Sequence, residues 1–283
     1  MPTNRYRDWD SFTFPPARPE RADPAEPANP AGPAGPVDGA DAAPVAFSAD
    51  LSPASVLGAY RRGIVPLPAS DDYFRTLNEI RYEDQVAAGA IAIVGDDAGD
   101  PYEVAWWSPD PRPVIGVGHV HVGRNVRKRL RHDALTTSAN AAFVQVAEAC
   151  RAGREPRWLT DPLLDTLTVL HGQGWAHSIE VWRDDQLVGG AIGIGIGGVI
   201  SGDSLFGKQP GAAAIAVADM SARLTAAGGV LIDAQWDGAL LRSLGAAPMA
   251  RARYLALLGR QAGPRALPAQ RLPAERLLPA GPA

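Results

Sequence analysis

An acid and an amide stand two residues apart in the otherwise apolar segment Leu-Ile-Asp-Ala-Gln (231–235). If this segment is a strand, the side chains of Asp233 and Gln235 point to the same face. A carboxylate buried in a strand is costly unless it is paired or used in chemistry. The pair is therefore a candidate for handling a polar substrate. A structural hydrogen bond to a neighbouring loop explains these two residues equally well.

Other residue types that carry chemistry lack the spacing that they need. None of the five histidines has the i, i+4 helical spacing with a partnering glutamate, so we expect no metal. Cys150, the single cysteine, falls on an apolar helical face, and Ser178 and Ser204 lack a Gly-x-Ser-x-Gly elbow. We therefore expect no covalent enzyme intermediate.

Glycines alternate in the run 189–198, where Gly193 and Gly195 are examples. A dinucleotide-binding loop follows a strand and opens a helix, whereas these glycines lie inside a β-strand pattern. We expect them to allow another backbone or a ligand to approach closely.

A basic segment, residues 123–132, is predicted to form a helix with a cationic face. Its Lys and Arg residues are Arg124, Arg127, Lys128, Arg129 and Arg131. A solvated helix face is one interpretation. The other is contact with nucleic-acid phosphates, which would make binding salt-dependent without reading sequence. Because the net charge of the chain is −4, any RNA contact must come from such a local patch.

Three tryptophans, Trp106, Trp107 and Trp158, adjoin turn-forming or basic residues. A tryptophan usually belongs to the core. One that is open on a pocket wall can instead stack on an unpaired base, which contributes about 1–3 kcal/mol.

Composition indicates a globular protein. The 283 residues are 46% hydrophobic, enough for one large domain or two smaller ones. The single cysteine excludes an intramolecular disulfide framework. Since the start lacks a secretory signal and no apolar run reaches about 18 residues, we expect a soluble, cytoplasmic protein.

The chain is predicted to have four parts. Residues 1–46 are expected to be largely disordered, because 16–46 are mostly Pro, Ala, Gly and Asp. Residues 47–105 are expected to form a small N-terminal domain, 106–262 a larger domain, and 263–283 a flexible tail. In the small domain we predict a helix at 52–63, capped by Ser52, a helix at 72–88 and a strand at 90–94.

The larger domain is predicted to be α/β (α+β), with mixed strands and helices on a central sheet. Besides the basic helix, the expected elements are a strand at 112–122, helices at 143–152 and 161–172, an antiparallel meander at 177–206, a helix at 212–227, a strand at 230–235, a helix at 238–244 and a strand at 251–257.

Ordered motifs over most of residues 50–258 resemble the leucyl/phenylalanyl-tRNA–protein transferases. These motifs are FPP (14–16), DLSP and AYRRGI (within 50–64), WWSPDPR (106–112), WLT (158–160), LHGQGWAHSIEVWRDDQLVGG (170–190), GDSLF (202–206), LIDAQ (231–235) and SLGA (243–246). The resemblance implies an acetyltransferase-like (GNAT) fold for the larger domain, beside a small N-terminal α/β domain. It also implies that the ester of Leu, Phe or Met on tRNA is attacked by the α-amine of a protein beginning with Arg or Lys. No cofactor is implied, because the ester is already activated.

The resemblance also assigns roles to residues. Asp233 would orient Gln235 and stabilise the positive charge that develops on the attacking amine, while Gln235 would hold that amine. Asp203 and Ser204 would face the acceptor. The aminoacyl pocket would comprise Ala191, Leu205, Met220 and Ile232. Contacts to tRNA would come from Trp158, Leu67, Arg124, Arg127, Lys128, Arg129 and Arg131.

Several positions depart from the family pattern. Leu67 replaces the aromatic residue expected to stack on the terminal adenosine. Asp203 replaces a longer Glu, and Leu205 and Ala191 stand where methionines are usual, so a wider or differently shaped aminoacyl pocket is a hypothesis. Further departures are Gly238, Leu240 and Ala212 to Ala214.

The expected partners are an aminoacyl-tRNA and a protein with an N-terminal Arg or Lys. Two alternatives remain open: the same chemistry with a small-molecule amine as acceptor, and a non-catalytic RNA- or peptide-binding relative. A CoA-dependent acetyltransferase is disfavoured, because no Gly-rich phosphate loop opens a helix at the expected place.

Overall fold

In the computed structural model, which describes residues 4–14, 43–95, 99–258 and 263–278, the chain divides into two compact units. Unit 1 comprises residues 1–109 and 153–166, and unit 2 comprises 110–152 and 167–283. The predicted boundary near residue 105 is close to the observed one. The return of 153–166 to unit 1 was not predicted, because only long-range contacts define it.

Unit 1 is built on a five-stranded sheet. Its strands are β1 Arg5–Tyr6, β2 Ala46–Ser48, β3 Val65–Pro68, β4 Ala92–Val94 and β5 Val104–Trp107, and its helices are α1 Pro53–Arg61, α2 Asp72–Ala87 and a 3₁₀ turn at Pro101–Glu103. The strand order is β1-β4-β2-β5-β3. The Ser52 hydroxyl accepts a hydrogen bond from the backbone N–H of Ser55, so the predicted helix cap is confirmed.

Residues near the start of the chain belong to this sheet, as Arg5 and Tyr6 form β1. Strand β1 pairs in parallel with β4, and Trp9 and Phe12 are buried. The prediction of disorder is therefore wrong for residues 4–14, because Trp9 packs edge-on against Trp106 with their ring centroids 4.9 Å apart. Most of the Pro/Ala-rich stretch predicted to be disordered lies outside the described residues.

Unit 2 contains a nine-stranded mixed sheet. Its strands are β6 Arg112–Gly116, β7 Leu135–Ala139, β8 Ala176–Arg183, β9 Gln186–Ile196, β10 Val199–Ser201, β11 Ser204–Gly207, β12 Leu231–Asp233, β13 Ala247–Met249 and β14 Leu272–Pro273. The remaining elements are α3 Arg124–His132, α4 Phe143–Arg151, α5 Asp161–Gly172, α6 Ala212–Ala226, α7 Ala239–Ser243, α8 Arg251–Leu258 and a 3₁₀ turn at Ala274–Leu277. The unit division falls within α5. The mixed α/β class and the meander of β8, β9 and β10 are confirmed.

The order of the larger sheet is β13-β6-β12-β10-β9-β8-β7-β14, with β11 added against β9. Strand β12 pairs in parallel with β10 and antiparallel with β6. The residue at the carboxyl end of β12 is therefore flanked by Ser201 on one side and Val114 on the other.

Three predictions for unit 2 are corrected. The strand predicted at 112–122 ends at Gly116, since Gly118 has φ +77° and the chain turns there. Residues 251–258 form helix α8 and not a strand, because the residues that they bury, Tyr254 and Leu258, are spaced i, i+4. The tail is ordered at 264–278, where Leu267 and Ala274 are buried.

Candidate active site

The carboxylate of Asp233 is at the end of β12 and is fully buried, with 0% exposure. Its Oδ2 accepts hydrogen bonds from Arg112 Nε and from the Tyr254 hydroxyl, each at 2.9 Å. Its Oδ1 accepts a third from the backbone N–H of Gln235 at 2.8 Å. Burial of a carboxylate is tolerated here because it is paired with a cation and bound by three donors.

Arg112 and Tyr254, which the sequence reasoning missed, enclose this carboxylate. Arg112 is also 0% exposed, and its guanidinium carbon lies 4.3 Å from the centre of the Tyr254 ring. Burial, and then the charge of Asp233, raise the pKa of Tyr254 well above its ordinary value, so its hydroxyl stays a donor at neutral pH. An arginine at the start of an apolar strand was the one sequence signal for this pairing.

Gln235 comes next to Asp233, but for a different reason from the one predicted. Strand β12 ends at Asp233, so the alternation of a strand does not extend to Gln235, whose φ is +57°. A non-glycine residue in this left-handed region needs support from its surroundings. The bond from the Gln235 N–H to Asp233 supplies it and fixes the turn.

The Gln235 side chain joins the pair to Asp203, the predicted acceptor-facing carboxylate. Gln235 is 5% exposed, and its Nε2 donates to Asp203 Oδ1. Asp203 Oδ1 also accepts from the Ser201 hydroxyl at 2.7 Å, and that hydroxyl is held by the backbone of Ile194 on β9. Asp203 is half-buried as a residue, and its Oδ2 atom is buried. The hydrogen bonds therefore link the sealed carboxylate of Asp233, through Gln235, to a second carboxylate.

Ser204, the other predicted acceptor-binding residue, opens β11 and is 4% exposed. Its hydroxyl has no hydrogen-bond partner within the part of the chain that the structure describes. A buried hydroxyl without a partner is costly, which fits a group that meets a ligand. Its role in acceptor binding stays a prediction.

The four residues predicted to line the aminoacyl pocket lie in one hydrophobic cluster of unit 2. Ala191, Met220 and Ile232 are buried, and the half-buried Leu205 is paired across β9 and β11 with Ala191. The structure therefore brings these side chains to one region, while the width of the pocket stays a prediction.

We expect the smaller side chains of this cluster to extend the range of amino acids transferred. Alanine and leucine stand at positions 191 and 205, where the family resemblance leads us to expect flexible methionines, so side chains other than those of leucine and phenylalanine should also be used at comparable rates. A panel of aminoacyl-tRNAs presented to the purified protein measures this. Use of leucine and phenylalanine alone would contradict the expectation.

The predicted basic helix is α3, and its cations differ in their surroundings. Arg124, Lys128 and Arg131 are exposed, whereas Arg127 and Arg129 are half-buried. Arg129 pairs with Asp133 at 2.9 Å, so this cation stabilises the C-terminal end of α3. The three exposed cations remain candidates for phosphate contact.

Unit 1 holds the other two predicted tRNA-binding residues. Leu67, on β3, and Trp158 are both half-buried, so each presents some apolar surface to solvent. Trp106 and Trp107 are buried on β5, which confirms the core interpretation for that pair. Stacking on a base stays a prediction for Trp158.

Three further residues of types that can carry chemistry, a cysteine, a histidine and a glutamate, have structural roles. Cys150 is a buried cysteine on α4. His177 is 2% exposed, and burial lowers its pKa to about 4, so it is neutral near pH 7. Glu180, 0% exposed, accepts hydrogen bonds from Ser138 and Ser178, each at 2.6 Å. Across the described ranges, no three His, Cys, Asp or Glu side chains are grouped so that they could hold a metal ion.

None of the helices in the described part of the chain is long and apolar enough to cross a membrane.

Comparisons with known proteins agree on one family. The model of the family described as leucyl/phenylalanyl-tRNA protein transferase matches residues 114–259. The leucyl/phenylalanyl-tRNA–protein transferase of Tolumonas auensis is 35% identical over 215 residues, which are 75% of this chain and 79% of that protein. The protein of the same name from Chromohalobacter salexigens is 37% identical over 214 residues, 75% of this chain and 72% of that one.

Among solved structures, a GCN5-related N-acetyltransferase from Kribbella flavida aligns with a TM-score of 0.31 and 17% identity. The alignment covers 50% of this chain and 55% of that one.

Proposed function

This chain belongs to the leucyl/phenylalanyl-tRNA–protein transferase family, and we propose that it transfers the aminoacyl group of a charged tRNA to the N-terminal amine of a protein. The observation that carries the proposal is the hydrogen-bonded series of Asp233, Gln235 and Asp203, which lies within the matched residues. The acceptor is a protein that begins with Arg or Lys, and an aminoacyl-tRNA is the second substrate. The reaction belongs in the cytoplasm, where charged tRNA is made.

The reaction requires mainly that the enzyme position the amine against the ester. The aminoacyl ester is already activated, so we propose that no cofactor takes part. An N-terminal amine has a pKa of about 7.7–8.0, so a usable fraction is neutral near pH 7. Alignment of this amine with the ester carbonyl carbon supplies several kcal/mol of the barrier reduction.

Gln235 is the residue that holds the amine in this proposal. Its Nε2 donates to Asp203, so its carbonyl oxygen lies on the other branch of the amide, where it can accept from an amine N–H. Asp233 orients Gln235 through the bond to its backbone N–H, and the negative charge of Asp233 favours the positive charge that develops on the amine.

Transfer of labelled leucine from leucyl-tRNA to a peptide beginning with Arg tests the proposal. We expect product with this peptide and much less with a matched peptide beginning with Ala. We also expect a loss of product with Asp233→Ala, because the turn that positions Gln235 loses its acceptor.

Two results would favour other functions. Product with simple amines but none with the Arg peptide would make the enzyme a tRNA-dependent transferase for small molecules. Binding of leucyl-tRNA by a folded protein without transfer to any amine would indicate a non-catalytic relative.

A further inference from the structure

We propose that a cavity at the end of the larger sheet opposite Asp233 binds the terminal phosphate of a nucleotide, either a free nucleotide or the 5′ end of an RNA. The cavity has a volume of about 470 Å³, and all the residues that line it belong to unit 2. They come from the segment that follows β6, from α3 and α6, and from the 3₁₀ turn at Ala274–Leu277. This volume is within the range of small-molecule pockets, roughly 300–1,000 Å³.

The cavity is separate from the proposed transfer site. Asp233 ends β12, whereas Val230 immediately precedes that strand. The Val117 N–H donates to the Val230 carbonyl oxygen at 3.2 Å, and the next residue, Gly118, lines the cavity. The cavity therefore lies at the start of β12, away from the carboxylate at its end.

Two arginines bring positive charge to the cavity. Arg127 on α3 and Arg276 in the 3₁₀ turn both line it, and none of the described residues that line it is acidic. The planar guanidinium of arginine donates two parallel hydrogen bonds to two oxygens of a phosphate. A terminal phosphate carries a charge of about −1.5 to −2 near pH 7, which two arginines balance.

Arg127 lacks the partners that a half-buried arginine normally has. Its Nε atom is buried and has no hydrogen-bond partner among the described residues. Arg129, on the same helix, is also half-buried, but it forms an ion pair with Asp133. Burial of an N–H donor without an acceptor is costly, so a ligand explains Arg127 better than the fold does.

Arg276 is paired, but its cluster keeps an excess of positive charge. Its guanidinium donates to Asp219 Oδ1, and Arg223 Nε donates to Asp219 Oδ2 at 2.6 Å. Asp219 is 0% exposed, so two cations share one buried carboxylate. The other N–H groups of Arg223 reach backbone carbonyls such as those of Thr137 and Gln270, whereas Arg276 lines the cavity. The positive charge that is left over is therefore available to a ligand through Arg276.

The other lining residues suit the rest of a nucleotide. The Ser221 hydroxyl accepts a hydrogen bond from the backbone N–H of Gly118 at 3.0 Å, and it also has a hydrogen that it can donate. His121 adds an imidazole, and Val120 and Leu277 add apolar surface. Small-molecule pockets combine apolar surface with a few polar groups that fix the ligand in this way.

Isothermal titration calorimetry of the full chain with the four nucleoside 5′-monophosphates and the matching nucleosides tests the proposal. We expect at least one monophosphate to bind about tenfold or more tightly than its nucleoside, because the phosphate adds charge-assisted hydrogen bonds. Arg127→Gln should weaken that monophosphate by a similar factor, and Arg127→Lys, which keeps the charge, should weaken it less. Arg124→Gln is the matched control on the same helix, because Arg124 is exposed and does not line the cavity. It should leave the Kd unchanged.

A short single-stranded RNA with a 5′-phosphate, compared with the same RNA with a 5′-hydroxyl, separates the two sources of the phosphate. If the ligand is an RNA end, the phosphorylated RNA binds more tightly than its 5′-hydroxyl form and than the free nucleotides. If the ligand is a free nucleotide, the 5′-phosphate makes no difference to the RNA. In either case Arg127→Gln should remove the preference for phosphate.

Three results would overturn the proposal. In one, neither the nucleotides nor the RNA binds more tightly than its phosphate-free counterpart, a comparison that needs no variant. In another, Arg127→Gln binds as wild type does while its urea unfolding midpoint shows that it is folded. In the third, Arg124→Gln loses as much affinity as Arg127→Gln, which would place the contact on the exposed face of α3. No aminoacyl group is transferred in these measurements, so their outcome is independent of the proposed function.

Discussion

Arg112→Met is expected to lower the free energy of unfolding by about 3–5 kcal/mol and to abolish aminoacyl transfer. Methionine fills much of the volume of the arginine but leaves the Asp233 carboxylate buried without its cation. It also removes the guanidinium from the face of the Tyr254 ring. The carboxylate must then draw in water or take up a proton, and either change disturbs the turn at Gln235. Urea unfolding followed by circular dichroism measures the first effect, and the leucyl-tRNA assay measures the second.

A second Arg–Asp pair provides the control. Arg242 and Asp237 form an ion pair whose side chains are 59% and 61% exposed, whereas Arg112 and Asp233 are both 0% exposed. Arg242→Met should therefore cost only about 0–1 kcal/mol. Adding Asp233→Asn to Arg112→Met should recover part of the lost stability, because the unpaired charge is gone. If Arg112→Met is as stable as Arg242→Met, the large loss of stability expected from breaking the buried ion pair is contradicted.

Local chemistry allowed much of the fold to be predicted. The Ser52 cap, the Asp184–Asp185 turn and the long helix α6 follow from residues that are neighbours in sequence. The ordered tail could not be predicted in this way. Arg271 lies 5.2 Å from the centre of the Trp182 ring, and no local pattern around a Pro/Ala-rich segment indicates such a distant partner.

In the site, too, the residues that could be predicted are those indicated by nearby sequence. Asp233 and Gln235 were singled out because a carboxylate in an apolar strand is costly wherever it lies, and the family resemblance then gave the pair its role. Arg112 and Tyr254 were missed because they are 121 and 21 residues from Asp233, and only the sheet and α8 bring them to it. The strand predicted at 251–257 also misplaced Tyr254, so its direction could not have been inferred.

Gly193→Ala is the second change for which we expect a large loss of both stability and activity. A Cβ at this position would lie 1.7 Å from the backbone carbonyl oxygen of Ser201. This close approach fulfils the expectation that the glycines of this run admit another backbone. Overpacking usually costs about 1–3 kcal/mol. Because the obstructing atom belongs to the backbone, side-chain movements cannot relieve so short a contact. We therefore expect the free energy of unfolding to fall by an amount at or above the top of that range.

We expect the transfer activity to fall together with the stability, because the backbone segment that the new methyl group displaces also holds residues of the site. Relief of the clash requires Ser201 to move, and its hydroxyl holds Asp203 while its carbonyl group lies opposite Gly193. Transfer by any folded fraction of Gly193→Ala should therefore be reduced in its rate constant. Single-turnover kinetics on the soluble protein, at a temperature where circular dichroism shows it folded, separates this effect from unfolding.

Two further variants decide whether the backbone contact is the cause. Gly172→Ala lies at the end of α5, where the added carbon meets no described atom within 4 Å apart from its chain neighbours and the helix backbone. It should be neutral or slightly stabilising, since alanine favours a helix by about 1 kcal/mol over glycine. Ser201→Gly should not rescue Gly193→Ala, because the obstructing atom is a backbone oxygen that glycine retains. If Gly193→Ala unfolds at the same urea concentration as wild type, β9 and β10 are not packed this closely, and the link from this glycine to Asp203 is lost.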